Sequence, residues 1–236
     1  MRPSLFWLAT EGQRAFIEFG THIPYRFMKR HKSGDGHPVL VLPGFMATDF
    51  STAPLRSFLK RIGYNSYPWQ LGRNFAEEKY LYLLISYVEE IYRMHGQNVS
   101  LIGWSLGGVF AREIAKRRPE IIRQIITLGS PFGGLTKPNN ASWIHNILTG
   151  GRGADDVDPN LLENLIQPAP VPTTAVYTKQ DGVVSWRVCI EKRESSIHQN
   201  IQVTGSHVGL GFNPLVLEII HDRLQFNQTN WKRYYK

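Results

Sequence analysis

The chain has 236 residues, with 27 Lys or Arg against 19 Asp or Glu, a formal net charge of +8. Hydrophobic residues make up 42% and charged residues 19%, which is a globular composition rather than a disordered one and suits a sizeable α/β core. The single cysteine, Cys189, excludes an intrachain disulfide and a cysteine metal cluster, and no metal or organic cofactor is expected.

No stretch reaches the ~18 apolar residues of a membrane span. The run Leu5-Phe6-Trp7-Leu8 is too short for a signal-peptide core, so a cytoplasmic protein is expected. Much of the basic excess sits near the ends, at Arg26, Lys29, Arg30 and Lys32 and at Lys232, Arg233 and Lys236. Tyr25, Phe27, Trp231, Tyr234 and Tyr235 interleave with them. The first reading is a solvated basic face. Contact with an anionic membrane surface is an alternative, and a nucleic-acid partner is not expected.

Residues 5–19 read as an amphipathic helix, with Leu5, Leu8, Phe16 and Phe19 among Glu11, Gln13, Arg14 and Glu18. Such a helix is expected to pack its apolar side on its own domain. A loop through Ser33-Gly34-Asp35-Gly36 follows. Six strand-like runs come next, at 39–42, 64–69, 99–103, 125–129, 174–178 and 200–204. Helical patterns at 51–62, 77–95, 106–117 and 214–224 lie among them. Continuous apolar strands alternating with helices imply an α/β fold with a mainly parallel sheet covered on both faces. One domain over 1–236 is expected, with 1–36 as an N-terminal helical region. Residues 136–172 break the rhythm with several Pro and Gly and two short apolar helical candidates, 143–148 and 161–166. Long insertions in compact domains are commonly functional, so this one is read as a short cap over the site.

Within this pattern, Gly103-Trp104-Ser105-Leu106-Gly107 is a G-x-S-x-G sequence between the strand at 99–103 and the helix at 106–117. A strand-to-helix elbow of this kind lifts a serine hydroxyl clear of the sheet at a helix N-terminus. Glycines two residues either side leave room for the neighbouring backbone. Ser105 is therefore the candidate nucleophile.

A serine hydroxyl is a weak nucleophile and needs a base, which in turn needs an orienting carboxylate. In open α/β sheets these partners lie in loops after the carboxyl ends of strands. Asp181 follows the strand at 174–178 and His207 follows the last strand. Asp155, Asp156, Asp158 and Glu191 are rivals for the acid. The oxyanion hole is expected to combine the Leu106 N–H with one from Leu42-Pro43-Gly44-Phe45-Met46, the Phe45 N–H being the candidate. Met46, Trp104, Trp143, Ile144, Ile147 and Leu148 are candidate acyl contacts.

The order Ser105, Asp181, His207 is that of the α/β-hydrolases. The sequence resembles the lipase and esterase branch of that fold over roughly residues 37–224. The resemblance is carried by Leu42-Pro43-Gly44-Phe45, Gly103 to Gly108, Gly129-Ser130-Pro131-Phe132-Gly133-Gly134, Asp181-Gly182-Val183-Val184 and Gly205-Ser206-His207. It is most similar to small bacterial lipase-like hydrolases. Pro43-Gly44 stands where lipases commonly have His-Gly, and the N-terminal helical region stands in for the first strands of larger members. The resemblance implies the same roles for Ser105, Asp181, His207, Phe45 and Leu106. Hydrolysis of a small-molecule or lipid ester with an apolar acyl group is expected, through an acyl-enzyme. Acyl transfer by the same intermediate is the near alternative, and a non-catalytic membrane-surface protein the distant one.

Overall fold

A computed structural model describes residues 3–27, 34–77, 79–133 and 164–235. The sheet has six strands: β1 (Pro38–Leu42), β2 (Asn65–Tyr67), β3 (Val99–Trp104), β4 (Ile122–Leu128), β5 (Thr173–Thr178) and β6 (His198–Val203). Their order is β2-β1-β3-β4-β5-β6, and every neighbouring pair is parallel.

The strands read as continuous apolar runs because both faces are covered. On one face Leu40, Leu42 and Leu101 pack against α4 (Lys79–His95) and α5 (Leu106–Arg117) through Leu84, Val88, Ile91, Val109 and Ile114. On the other, Val39, Val41 and Ile102 pack against α3 (Asp49–Arg61) and α6 (Pro214–Arg223) through Leu55, Phe58, Val216 and Ile220. Alternate residues of one strand thus serve opposite layers.

Several strand ends differ from the sequence expectation, two of them for reasons the contacts show. β4 begins at Ile122, three residues earlier than expected, and includes Arg123 and buried Gln124. The C-terminal segment takes their donors: the Gln124 amide N–H groups donate to the carbonyls of Arg223 (3.0 Å) and Phe226 (2.9 Å), and Arg123 Nε donates to Phe226 (3.0 Å). β2 ends at Tyr67 rather than Trp69. The Trp69 N–H is taken by the Asp49 carboxylate at 2.8 Å, which turns the chain out of the sheet.

The N-terminal helical pattern forms two helices, α1 (Leu5–Ala9) and α2 (Glu11–Phe27), and it packs the opposite way from expectation. Leu5, Leu8 and Phe16 are exposed, while Glu11 is buried. The α2 side facing the protein buries Ala15 and sets Phe19 edge-on to Phe212, but it also meets loop N–H groups, and carboxylates satisfy those donors where phenyl rings do not. The aromatic residues at the C-terminus also have a structural use. Trp231 and Tyr234 surround the buried Arg223 guanidinium at 5.5 and 5.7 Å, and Arg233 pairs with Glu194 at 3.1 Å. Among the described residues, no helix is long and apolar enough to cross a membrane.

Candidate active site

Ser105 sits between β3 and α5 with φ 52° and ψ −121°, a left-handed conformation rarely held by a residue with a side chain. Its N–H donates to the Leu128 carbonyl at 2.8 Å, which ties the elbow to the end of β4. A Cβ on Gly103 would lie 2.3 Å from Gly108 Cα, and one on Gly107 would lie 2.2 Å from the Leu42 carbonyl oxygen. Neither position has room for a side chain, so the local sequence specifies the turn.

Asp181 and His207 come from the loops after β5 and β6. His207 Nδ1 lies 2.6 Å from Asp181 Oδ2, with both side chains buried. A carboxylate only accepts, so the Nδ1 proton is assigned to this bond and Nε2 keeps a lone pair. The other Asp181 oxygen, Oδ1, accepts from the Val183 and Val184 N–H groups at 2.8 and 2.6 Å. These bonds lock the acid in an Asx turn. Gly129, immediately after β4, bridges the two halves of the site. A Cβ there would lie 3.0 Å from His207 Nδ1, and Leu128 just before it accepts from Ser105. Among the described residues, neither Ser105 Oγ nor His207 Nε2 makes a hydrogen bond. Catalytic hydrogen bonds are commonly long without substrate and tighten in its complex.

The Pro43–Ala47 loop lies directly over Ser105. A Cβ on Gly44 would come 3.2 Å from Ser105 Cβ. The N–H groups of Phe45 and Leu106 have no partner among the described residues, whereas the next N–H, that of Met46, donates to Asn74 at 2.8 Å. Asn74 is buried and also donates its amide to the Pro43 carbonyl at 2.9 Å, so it fixes this loop from below. Met46 holds φ 60°, and both Phe45 and Met46 expose their side chains.

Trp104 differs from its expected place. It is buried, packs at right angles on Phe212, and donates its indole N–H to the His207 carbonyl at 3.1 Å. Its even position in the strand points it into the α3 and α6 layer, where it supports the loop that carries His207. Trp143, Ile144, Ile147 and Leu148 lie outside the described residues, as do Asp155, Asp156 and Asp158. Glu191 is committed elsewhere: it forms a buried ion pair with Arg112, whose guanidinium lies 3.9 Å above the Phe132 ring.

Sequence patterns did not single out Asn74, Glu11 or Glu18 as site residues. Glu18 is part-buried; burial pushes its carboxyl above the usual range, against hydrogen bonds from Ser206 and Asn213. Burial also pushes the Cys189 thiol well up, leaving it inert as a nucleophile. A second Ser, His and Asp set exists at the other end of the sheet. His37 bonds Asp35 at 2.5 Å and Ser100 at 2.8 Å, but Ser100 and His37 are fully buried and reach no substrate. Among the described residues, no cluster of His, Cys, Asp or Glu could hold a metal ion.

Comparison with known proteins agrees with this architecture. The family model for lecithin:cholesterol acyltransferase matches residues 60–144, a stretch that contains the elbow but neither Asp181 nor His207. Phosphatidylcholine-sterol acyltransferase of Rattus norvegicus is 36% identical over 77 residues, 30% of this chain and 17% of that protein. Lysosomal phospholipase A and acyltransferase of Homo sapiens is 30% identical over 76 residues, 30% of this chain and 18% of that protein. The match therefore takes in under a fifth of either relative's length. The crystal structure of Aspergillus fumigatus lipase B superposes with a TM-score of 0.63 at 16% identity, covering 85% of this chain and 56% of that one. The fold is that of the α/β-hydrolases.

Proposed function

We propose that this protein is a serine acyl hydrolase that cleaves carboxylic esters, lipid esters included, through an acyl-enzyme on Ser105. The observation that carries the proposal is the strained Ser105 elbow lying beneath the Gly44 loop, whose Gly44 comes 3.2 Å from Ser105 Cβ in the sense of an added Cβ. A non-Gly residue at φ 52° is held against its own preference, and such strain concentrates at functional sites.

In this reading His207 Nε2 takes the Ser105 Oγ proton while Oγ attacks the acyl carbon. The carbonyl oxygen becomes an oxyanion and accepts from the Phe45 and Leu106 N–H groups. Asp181 holds the imidazole in its tautomer and stabilises the imidazolium. The intermediate collapses by expelling the alcohol, which takes the proton from His207. Water then loses a proton to His207 and attacks the acyl-Ser105 carbon; the second intermediate collapses by expelling Ser105 Oγ, which takes that proton back from His207 as the acid leaves.

The cap expected over 136–172 is narrowed, because Leu165, Ala169 and Val171 are buried in the core with α4 and α5; 136–163, with the acyl-contact candidates Trp143, Ile144, Ile147 and Leu148, lie outside the described residues. The exposed Phe45, Met46, Phe50, Phe75, Val183 and Val208 suit an apolar substrate or a lipid surface, and the +8 charge favours an anionic one. The single unpaired cysteine fits a reducing, cytoplasmic setting.

The test is intact-mass analysis during turnover of esters of graded acyl length. An acyl adduct on Ser105 is expected, larger by each acyl group. Turnover with no adduct, undiminished in Ser105→Ala, would contradict the mechanism. Acyl transfer is the second reading, favoured by the two acyltransferases among the relatives. It predicts a new ester, rather than free acid alone, when an alcohol acceptor is added.

A further inference from the structure

The polar stripe of α2 grips the two loops that carry the acid and the base. Glu11 is only 6% exposed although it is a carboxylate on a surface helix. Its Oε2 accepts the Gly182 N–H at 3.1 Å, and its Oε1 accepts the Val208 N–H at 2.9 Å. Gly182 is the residue after Asp181, and Val208 is the residue after His207. Arg14 donates to Glu11 Oε2 at 2.7 Å and to the Gly205 carbonyl at 3.3 Å. Glu18 accepts the Ser206 N–H, just before His207, at 2.6 Å. Helical spacing places Glu11, Arg14 and Glu18 on one face.

The loops approach this face closely. A Cβ on Gly209 would overlap Glu18 Oε2 at 1.8 Å, and one on Gly182 would lie 2.5 Å from the Leu8 nitrogen. A buried carboxylate is tolerated when charge-assisted hydrogen bonds replace its water. Glu11 has three such partners, two of them peptide groups adjoining the Asp181–His207 pair. One rigid side chain spanning both loops fixes their separation. Apolar anchoring of this helix is slight, with Ala15 buried and Phe19 edge-on to Phe212 while Phe16 is 79% and Ile17 64% exposed.

We propose that Glu11 is a positioning residue for the Asp181–His207 pair, its carboxylate clamping the acid loop and the base loop together, with Arg14 and Glu18 completing the clamp. This rests on the reading of that pair as the catalytic acid and base.

The test compares Glu11→Gln and Glu11→Ala in the full chain, with Gln13→Ala on the exposed side of the same helix as control. In both Glu11 variants kcat should fall about tenfold to a hundredfold, more for Ala, while KM stays within about twofold. The low-field proton resonance of His207 Nδ1, assigned by its loss in His207→Gln, should broaden or vanish. Gln13→Ala should leave kcat and the resonance unchanged. A folded Glu11→Ala with wild-type kcat and a sharp resonance overturns the proposal; if that variant does not fold, Glu11→Gln carries the same comparison. The resonance needs no turnover. Absence of Ser105-dependent activity in the unmodified protein would therefore defeat the catalytic reading, while the resonance would still decide the clamp.

Discussion

The indole of Trp104 donates to the backbone carbonyl of His207 at 3.1 Å, so the residue before Ser105 holds the loop that carries His207. One side of the elbow presents Ser105, and the other anchors His207, its partner in the proposed mechanism. Trp104→Phe removes the donor and keeps the ring against Phe212. Stability should drop by about 1 kcal/mol, and kcat should fall several-fold with no change in preferred acyl length. A shifted acyl-length profile would instead return Trp104 to the substrate's side.

Asp181 divides its two oxygens between the turn and His207. Oδ1 accepts from Val183 and Val184, and Oδ2 meets His207. Asn in its place keeps the carbonyl for the turn but turns an amide toward Nδ1, favouring the tautomer that leaves Nε2 protonated. The fold should survive, with kcat down by about 10⁴. A folded Asp181→Asn variant with full activity would remove Asp181 from the mechanism.

The Gly44 loop makes its own prediction. An alanine methyl would press on Ser105 at 3.2 Å and displace the neighbouring Phe45 N–H. Shifting one oxyanion donor should lower kcat by about tenfold to a hundredfold. The melting temperature should change little, because a shift of a few tenths of an ångström relieves the 3.2 Å contact of the added methyl. Unchanged kcat in Gly44→Ala would show that the donor lies elsewhere.

His37 makes stability depend on pH. Burial and the nearby Arg123 charge lower its pKa to about 4, against the pull of Asp35. An unfolded His titrates near 6.5. Between those values the unfolded chain binds the extra proton, so stability rises with pH across the window. The contribution is fully present above the unfolded value and is lost as pH falls toward the folded one. Urea unfolding at pH 7 and pH 5 should show a loss on the order of 2 kcal/mol. His37→Gln should flatten that dependence; an unchanged slope would mean that His37 does not carry it.

Much of the fold was legible because its parallel strands are buried on both faces, which leaves runs such as Val39–Leu42 apolar throughout. The elbow was legible because no residue but glycine fits beside Gly108 or the Leu42 carbonyl. Asp181 and His207 could be picked out by their positions after successive strands. Glu11 and Glu18 could not, because carboxylates among Phe16 and Phe19 read as a solvated face. Their partners lie 171 to 197 residues away in the chain, and local periodicity carries no sign of them. Asn74 was hidden likewise, as a polar residue in a loop that proves fully buried. Trp104 misled because its place beside the nucleophile suggested substrate, while strand alternation turned it inward.

The central claim is that Ser105 is the nucleophile of an acyl-enzyme. The most direct measurement is peptide mass mapping after reaction with a fluorophosphonate, for the unmodified protein, Ser105→Ala and His207→Gln. A single phosphonylated serine at Ser105 is expected, with no labelling in Ser105→Ala and labelling slowed by orders of magnitude in His207→Gln. Labelling of another residue, or equal labelling in Ser105→Ala, would contradict it.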